Sequence, residues 1–329
     1  MSNKTANYLV DSVFGTSKLQ IESLFNVKGK LALVTGGGTG LGLLTATALA
    51  QNGCRVYITG RRLEVLDAAV KKIKDSCAAV PGLEADDGKG PIVMAIQADV
   101  GDKPGIEKLK AEFMKHETHL DVLINNHGSY IPGPNLNDVP QTAEDIAGLM
   151  YDKGEMSEWM QMYQTNVASY YFTSFAFLPL LNAAATAPAS PFDIHPAPRS
   201  PFQTNSLTPS TSGVSGSIIN IASISSLTPT TQNSSFAYNT SKAATLALSK
   251  HLACEFARRN LKIRVNSVLP GYFPSETNPC HPDQGEEYAR KQLGIPFARV
   301  GGAEDYVQAV LGVMVVRDLF PVHLTMRDC

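Results

Sequence analysis

The feature that most constrains the fold of this chain is a short apolar run that leads into a cluster of glycines. Residues 31–34, LALV, are followed by five glycines between positions 36 and 42 and then by an Ala/Leu/Thr-rich segment that stops at Asn52-Gly53. The run is typical of a strand buried on both faces, and the segment after it of a helix. A strand, a glycine turn and a helix N-terminus together aim main-chain N–H groups at a phosphate. The stretch therefore predicts an α/β fold with a dinucleotide site.

The same alternation of apolar runs and helical segments continues along the chain. Residues 134–157 interrupt it and are interpreted as a polar loop. Alternating strands and helices favour a single doubly wound, Rossmann-type domain, with a parallel sheet and helices on both faces. The further predicted strands are residues 54–60, 91–100, 121–128, 217–223 and 262–271.

Composition excludes several classes of function. The 329 residues carry 28 basic and 30 acidic side chains, so the net charge of −2 gives no field that would recruit nucleic acid or an anionic membrane. Five scattered cysteines without a C-x-x-C pair favour reduced thiols, and no metal site is predicted. The most apolar stretch, from Tyr170, is broken by polar residues and Pro179, so it is not expected to span a membrane. A soluble, cytoplasmic protein is expected.

Three segments fall outside the alternating pattern. Residues 1–26 form an N-terminal extension, and residues 27–329 are assigned to the Rossmann-type domain. Residues 183–215 are rich in Ala, Pro, Ser and Thr, which indicates an exposed loop insertion. From about residue 315 the chain reads RDLFPVHLTMRDC, where a last strand is expected to be missing or altered.

Two positions after predicted strands bear on the nucleotide. Arg61 and Arg62 follow the second strand, where an acidic residue would hold the ribose 2′-hydroxyl of NAD and arginines suit the 2′-phosphate of NADP. Their alternative interpretation is solvent-exposed charge at a helix start. Asp99-Val100 end the third strand, either beside an adenine ring or as a helix cap.

Tyr238 and Lys242 are the candidate catalytic pair. They are four apart in a segment with helical spacing, so they share a helix face, and a fixed cation beside a phenol lowers the pKa of the phenol. Ser223, after the apolar run SIINIAS, could bind the oxygen of a reacting carbonyl. The alternative is a solvated helix face. Asn166, in an apolar helix, is either a structural pin or a residue that holds a water in the site.

Several motifs in this order resemble the short-chain dehydrogenase/reductases over about residues 28–310. They are TGGGTGLG at 35–42, NNHG at 125–128, Asn166, Ser223, YNTSK at 238–242 and PGYFPSET at 270–277. The resemblance implies that Tyr238 is the acid/base, that Lys242 binds the nicotinamide ribose, that Ser223 orients the carbonyl and that Asn166 holds a water in a proton relay. It also implies that the Tyr170–Leu181 helix and the Tyr238 helix form the interface of a homodimer or homotetramer, the alternative being a buried role within one chain.

The resemblance further implies an NADPH-dependent reductase of ketones, 3-oxoacyl groups or sugars. The implied reaction moves a hydride between NADP(H) and a carbonyl or secondary alcohol. The alternative is a catalytically impaired NADP-binding sensor or partner subunit. The residues assigned to cofactor binding are Gly36, Thr39, Gly40, Leu41, Gly42, Arg61, Arg62, Asp99, Val100, Asn126, Tyr238, Lys242, Pro270, Gly271 and Ser275.

Three departures from the family pattern set questions for the structure. His127 stands where the family usually has alanine, so the imidazole is either accommodated or narrows the nicotinamide pocket. Ser223 lies fifteen residues before Tyr238, two more than is common in the family, so Ser225 is an alternative candidate for the catalytic serine. The position of Ser223 at the end of the predicted strand favours Ser223. The third departure is the altered C-terminal sequence, RDLFPVHLTMRDC.

Overall fold

In a computed structural model of the chain, the structure describes residues 20–81, 83, 92–184, 216–231, 234–274, 285–291, 295, 298–315 and 323–325. Within these residues seven strands form one sheet in which every neighbouring pair is parallel, in the order β3-β2-β1-β4-β5-β6-β7. The strands are β1 (Leu31–Thr35), β2 (Arg55–Gly60), β3 (Val93–Gln97), β4 (Val122–Asn125), β5 (Gly216–Ile221), β6 (Ile263–Leu269) and β7 (His323–Thr325).

Helices connect these strands. They are α1 (Ile21–Leu24), α2 (Gly40–Gln51), α3 (Leu63–Ala78), α4 (Lys103–Phe113), α5 (Ala143–Lys153), α6 (Met156–Tyr163), α7 (Ser169–Ala183), α8 (Phe236–Arg258), α9 (Gly285–Lys291) and α10 (Ala303–Val315). A π turn, Gln164–Ala168, joins α6 to α7. Among the described residues, no helix has the length and apolarity needed to cross a bilayer.

The core lies on both faces of the sheet. Because side chains alternate along a strand, Ala32 and Val34 pack in one apolar cluster with residues of α2, α3 and α10. Leu31 and Leu33 pack in the opposite cluster with residues of α4, α7 and α8. The predicted doubly wound α/β fold is confirmed.

The strand order places a ligand crevice at a defined edge. The chain runs from β1 outward to β3, and then crosses back to continue from β4 to β7 on the other side of β1. In open parallel sheets, ligands bind at the carboxyl ends of the strands where the order reverses. The carboxyl ends of β1 and β4 are that point, and they carry Gly36 and Asn126.

One expectation from the sequence needs correction, and the structure decides another, whether the last strand is missing or altered. Residues 134–157 are not a polar loop, because they hold a short 3₁₀ turn, Leu136–Asp138, the whole of α5 and the start of α6. Thr142 caps α5 by accepting a hydrogen bond from the N–H of Asp145. Leu149 is the one buried residue of α5, so the helix shows only a weak apolar pattern in the sequence. At the C-terminus, the altered text contains β7, which extends the sheet beyond β6.

Candidate nucleotide and carbonyl site

The turn after β1 is built for close approach of the backbone. Gly36 and Gly40 have φ of +64° and +53°, in the left-handed region that glycine adopts without strain. A Cβ at Gly42 would lie 2.2 Å from the Gly36 carbonyl oxygen, so no larger residue fits. The Asn126 side-chain amide donates to the carbonyl oxygens of Thr35 (3.1 Å) and Gly36 (3.2 Å), and thereby ties the turn to the end of β4.

One cavity of about 710 Å³ opens at this edge of the sheet. Every predicted cofactor-binding residue within the described chain lines it, whereas Ser275 lies outside the described residues. The size of the cavity fits a nicotinamide dinucleotide. The glycine turn after β1 fits it too, because a Cβ there would block the close approach of the backbone to the nucleotide. The predicted residues that line it are Gly36, Thr39, Gly40, Leu41, Gly42, Arg61, Arg62, Asp99, Val100, Asn126, Tyr238, Lys242, Pro270 and Gly271.

The ends of β2 and β3 form the charged part of the cavity wall. Arg61 and Arg62 follow β2 and are exposed, and the Arg61 carbonyl oxygen accepts a hydrogen bond of 2.9 Å from the Gln97 amide. Asp99 lines the cavity and accepts from the N–H of Gly101. It is not the cap of the following helix, because Asp102 caps α4 by accepting from the N–H of Gly105. Of the two interpretations of Asp99, the structure therefore excludes the helix cap.

The other end of the cavity brings together Ser223, Tyr238 and Lys242. Ser223 follows β5, and its hydroxyl is hydrogen-bonded to the Tyr238 phenol, while its Oγ accepts from the Ser225 N–H at 3.2 Å. Of this serine pair, Ser223 lines the cavity and Ser225 does not. Ser223, at the strand end, is therefore the serine of this pair that lies in the cavity wall.

Lys242 is held by the main chain and by aromatic rings. Its Nζ donates to the Ile221 carbonyl oxygen at 2.9 Å and lies 5.9 Å from the centroid of the Tyr238 ring and 5.8 Å from that of Tyr170. The side chain is buried, and the loss of hydration lowers its pKa to about 8. The ammonium therefore occupies one fixed position beside the phenol.

Burial also sets the direction of the Tyr238 pKa. Desolvation raises this pKa above its usual value, and the Ser223 hydrogen bond acts in the opposite sense. The sequence pattern predicted a pKa lowered by Lys242, so that expectation is wrong for the protein as it stands. The cost of placing a phenolate in this wall outweighs the polar contacts that favour it.

The shifted pKa of Lys242 predicts a pH-dependent stability. Between its folded pKa of about 8 and its reference value of 10.5, the folded protein binds fewer protons than the unfolded chain, so the free energy of unfolding rises with pH. We expect this free energy for the wild type minus that for Lys242→Met to rise by about 2 kcal/mol from pH 8 to pH 10.

Denaturant titrations of both proteins across that range measure the difference. The subtraction is needed because Cys54, whose pKa burial raises, and Tyr238 titrate with the opposite sign in or just above the same window. A difference that stays flat with pH would mean that Lys242 is not desolvated.

Asn166 is held by hydrogen bonds behind the cavity wall. Its Oδ1 accepts from the Ser129 N–H at 2.9 Å, and its Nδ2 donates to the Ser129 carbonyl oxygen and the Ser241 hydroxyl, both at 3.0 Å. Its own carbonyl oxygen accepts from the Thr245 hydroxyl at 2.7 Å. Asn166 is fully buried in the π turn and is not among the described residues that line the cavity.

His127 is accommodated within a hydrogen-bonded network. Its Nδ1 lies 2.7 Å from the Thr35 hydroxyl and its Nε2 lies 2.6 Å from the Ser169 hydroxyl. The Ser169 hydroxyl donates to the Thr165 carbonyl oxygen, and the Thr35 hydroxyl donates to the Ile124 carbonyl oxygen. Burial, with a smaller contribution from Lys242, lowers the His127 pKa to about 3, so the ring is neutral.

The structure adds residues to the cavity wall that were not selected from the sequence. Ser129, Tyr130, Gln164 and Tyr272 line it. Tyr130 and Tyr272 follow the ends of β4 and β6, so their position just past two strands at the carboxyl edge was the available signal. Gln164 gave none, because its place depends on the π turn.

This fold and site are those of dinucleotide-binding oxidoreductases, and comparison with known proteins specifies the family. The family model described as short chain dehydrogenase matches residues 30–187, and one described as enoyl-(acyl carrier protein) reductase matches residues 203–317. The short-chain dehydrogenase/reductase PhomF of Diaporthe leptostromiformis is 30% identical over 301 residues, which cover 90% of this chain and 88% of PhomF. The chain belongs to the short-chain dehydrogenase/reductase family, whose members use nicotinamide cofactors.

A curated relative and a solved structure, both from Pseudomonas aeruginosa, are also similar to this chain. A rhamnolipids biosynthesis 3-oxoacyl-acyl-carrier-protein reductase is 27% identical over 85% of this chain and 87% of its own length. The solved structure of an RhlG/NADP active-site complex superposes with a TM-score of 0.69, covering 93% of this chain and 97% of RhlG, at 24% identity. The structural match supports the fold.

Proposed function

We propose that this chain is an NADPH-dependent reductase of ketones, acting reversibly on secondary alcohols, with Tyr238 as the acid/base. The observation that carries the proposal is the convergence of Ser223, Tyr238 and Lys242 on the same cavity as the glycine turn after β1. The similarity to a 3-oxoacyl-acyl-carrier-protein reductase and to a solved structure of an NADP complex supports it.

Each side chain of the site has a role that follows from its contacts. The hydroxyls of Ser223 and Tyr238 are hydrogen-bonded to each other, so both can bind one ketone oxygen placed beside them. Tyr238 then donates its proton to that oxygen. The Lys242 ammonium, fixed by Ile221, stabilises the phenolate left behind. When bound, the reduced nicotinamide supplies the hydride.

We also propose that Arg61 and Arg62 select NADPH over NADH. Both follow β2, line the cavity and have guanidinium groups suited to a 2′-phosphate. Replacing Arg61 with serine is expected to weaken NADPH binding by about 10- to 100-fold, the range for a charge-assisted hydrogen bond, and to leave NADH binding unchanged. The measurement is a fluorescence titration with each nucleotide.

Arg258→Ser is the matched control for this test. Arg258 is an exposed arginine near the end of α8, where it pairs with Glu255. Equal losses for NADPH and NADH in Arg61→Ser and Arg62→Ser, or tighter binding of NADH by the wild type, would contradict selection by the arginines.

The same titration tests the proposed function. NADPH-selective binding, followed by NADPH oxidation that depends on an added ketone, is the expected outcome. The alternative, a catalytically impaired NADP-binding sensor or partner subunit, predicts binding with no turnover across a panel of carbonyl compounds. This alternative was suggested by the altered C-terminal sequence. Because that sequence forms β7, which pairs with β6 at the edge of the sheet, the reductase is the better supported proposal.

The expected homodimer or homotetramer stays a prediction. The aromatic side chains of Tyr171, Phe172 and Phe175 on α7 are exposed and contact one another through their rings. Such a surface favours burial against a second copy.

A further inference from the structure

The cavity wall around Tyr238 is aromatic. The Tyr130 ring packs edge to face on the Tyr238 ring, with centroids 5.1 Å apart and an interplanar angle of 89°. Tyr272 follows β6 at the same edge of the sheet. Both line the cavity, together with Ile224 and Phe273. A substrate whose carbonyl reaches Tyr238 therefore meets ring faces and edges.

The charged side chains of the cavity lie mostly at its other end. Arg61 and Arg62 follow β2, and Asp99 and Asp102 follow β3, whereas Ser223 follows β5. Three strand spacings separate β2 from β5, a distance of about 14 Å. These four groups are therefore placed to meet the nucleotide rather than the ketone.

Lys242 is the charged residue on the Tyr238 side among the described lining residues. Its Nζ already donates to Ile221, and the rings of Tyr170 and Tyr238 flank it. It cannot turn toward a carboxylate or phosphate on a substrate without breaking that arrangement. An anionic substrate would thus lose its hydration at this end without gaining a cation.

Resting on the proposed reductase function, we infer that the substrate is an uncharged aryl ketone. Its ring packs against Tyr130 and Tyr272 while its carbonyl oxygen lies at Ser223 and Tyr238. The carbonyl carbon gains a hydride from the reduced nicotinamide and the oxygen gains the Tyr238 proton, giving a secondary alcohol. Water then reprotonates the phenolate, so electrons and protons balance.

Matched ketones test the inference. Acetophenone and cyclohexyl methyl ketone differ in having an aromatic or a saturated ring, and 4-methoxyacetophenone and 4-acetylbenzoate differ in charge. Two quantities are measured for each ketone. One is kcat/KM with NADPH, and the other is the Kd with which the ketone binds to the protein–NADP complex, determined by calorimetry. Because the two ring types differ in intrinsic reactivity, the decisive quantity is the aryl-to-cyclohexyl ratio in each variant divided by the same ratio in the wild type.

Tyr130→Leu is expected to lower the aryl-to-cyclohexyl ratio by about 3- to 10-fold, the range for lost aromatic contacts. Tyr130→Phe keeps the ring and is expected to keep the ratio. Tyr151→Leu, a control at an exposed tyrosine of α5, is also expected to keep it. For the wild type, kcat/KM for 4-methoxyacetophenone is expected to be at least about 10-fold higher than for 4-acetylbenzoate, and its Kd at least about 10-fold lower.

The outcomes separate this inference from the function on which it rests. Turnover in which the ratio is unchanged by Tyr130→Leu, or in which 4-acetylbenzoate is preferred, overturns the aryl ketone and leaves the reductase standing. If no ketone is reduced, the proposed function fails, and the calorimetric Kd ratios still decide whether the wall selects uncharged aryl compounds.

Discussion

Replacing Tyr238 with phenylalanine is expected to lower kcat for ketone reduction by about 10²- to 10⁴-fold, the range for loss of a general acid. The phenol is the hydroxyl placed beside Ser223 and within reach of the Lys242 ammonium, so its removal leaves no equivalent proton donor at that point of the cavity. The glycine turn lies elsewhere on the cavity wall, and NADPH affinity is therefore expected to stay within about 3-fold of the wild type.

Steady-state kinetics and a nucleotide titration on the same preparation measure both effects. Tyr151→Phe removes a hydroxyl from an exposed tyrosine of α5 and serves as the control, with turnover unchanged. Turnover by Tyr238→Phe close to that of the wild type would remove Tyr238 from the chemistry. A parallel loss of NADPH binding would assign it to cofactor binding alone.

Gly42→Ala is expected to weaken NADPH binding by at least about 10-fold and to lower the free energy of unfolding by about 1–3 kcal/mol. The added Cβ would lie 2.2 Å from the Gly36 carbonyl oxygen and 2.4 Å from the Asn126 amide nitrogen. The first of these is backbone in a tight turn, so it cannot move without changing the cradle that faces the phosphates.

The matched control is Gly148→Ala, in the middle of α5. A Cβ there meets only the Asp152 carboxylate, at 3.8 Å, and alanine favours a helix over glycine by up to about 1 kcal/mol. Denaturant unfolding and NADPH titration of both variants compare a blocked glycine with an open one. Unchanged NADPH affinity in Gly42→Ala would show that the turn does not contact the nucleotide.

The parts of the fold that could be predicted from the sequence are those fixed by local chemistry. The stretch from β1 through the glycine turn to α2 combines a buried run, positive φ angles and a helix start within some twenty residues. The Tyr238–Lys242 spacing places both side chains on one helix face for the same reason. Neither inference needed knowledge of distant neighbours.

The parts that could not be predicted depend on tertiary packing. Helix α5 buries only Leu149, so it carries little periodic signal. The direction of the Tyr238 pKa depends on how deeply the phenol is desolvated, which helix spacing does not reveal. The neutral state of His127 likewise follows from its burial and from Lys242, which is distant in the sequence.

The π turn between α6 and α7 constrains the number of residues that join the two helices more than it constrains which residues they are. The Ser169 N–H bonds to the Gln164 carbonyl oxygen, five residues back, so the turn holds one residue more than an α turn. Deleting Tyr163 while the π turn is kept would rotate α6 by about 100° relative to α7. Met162, the buried residue of α6, would then leave the core. Related chains should therefore vary in residue type here while keeping the residue count.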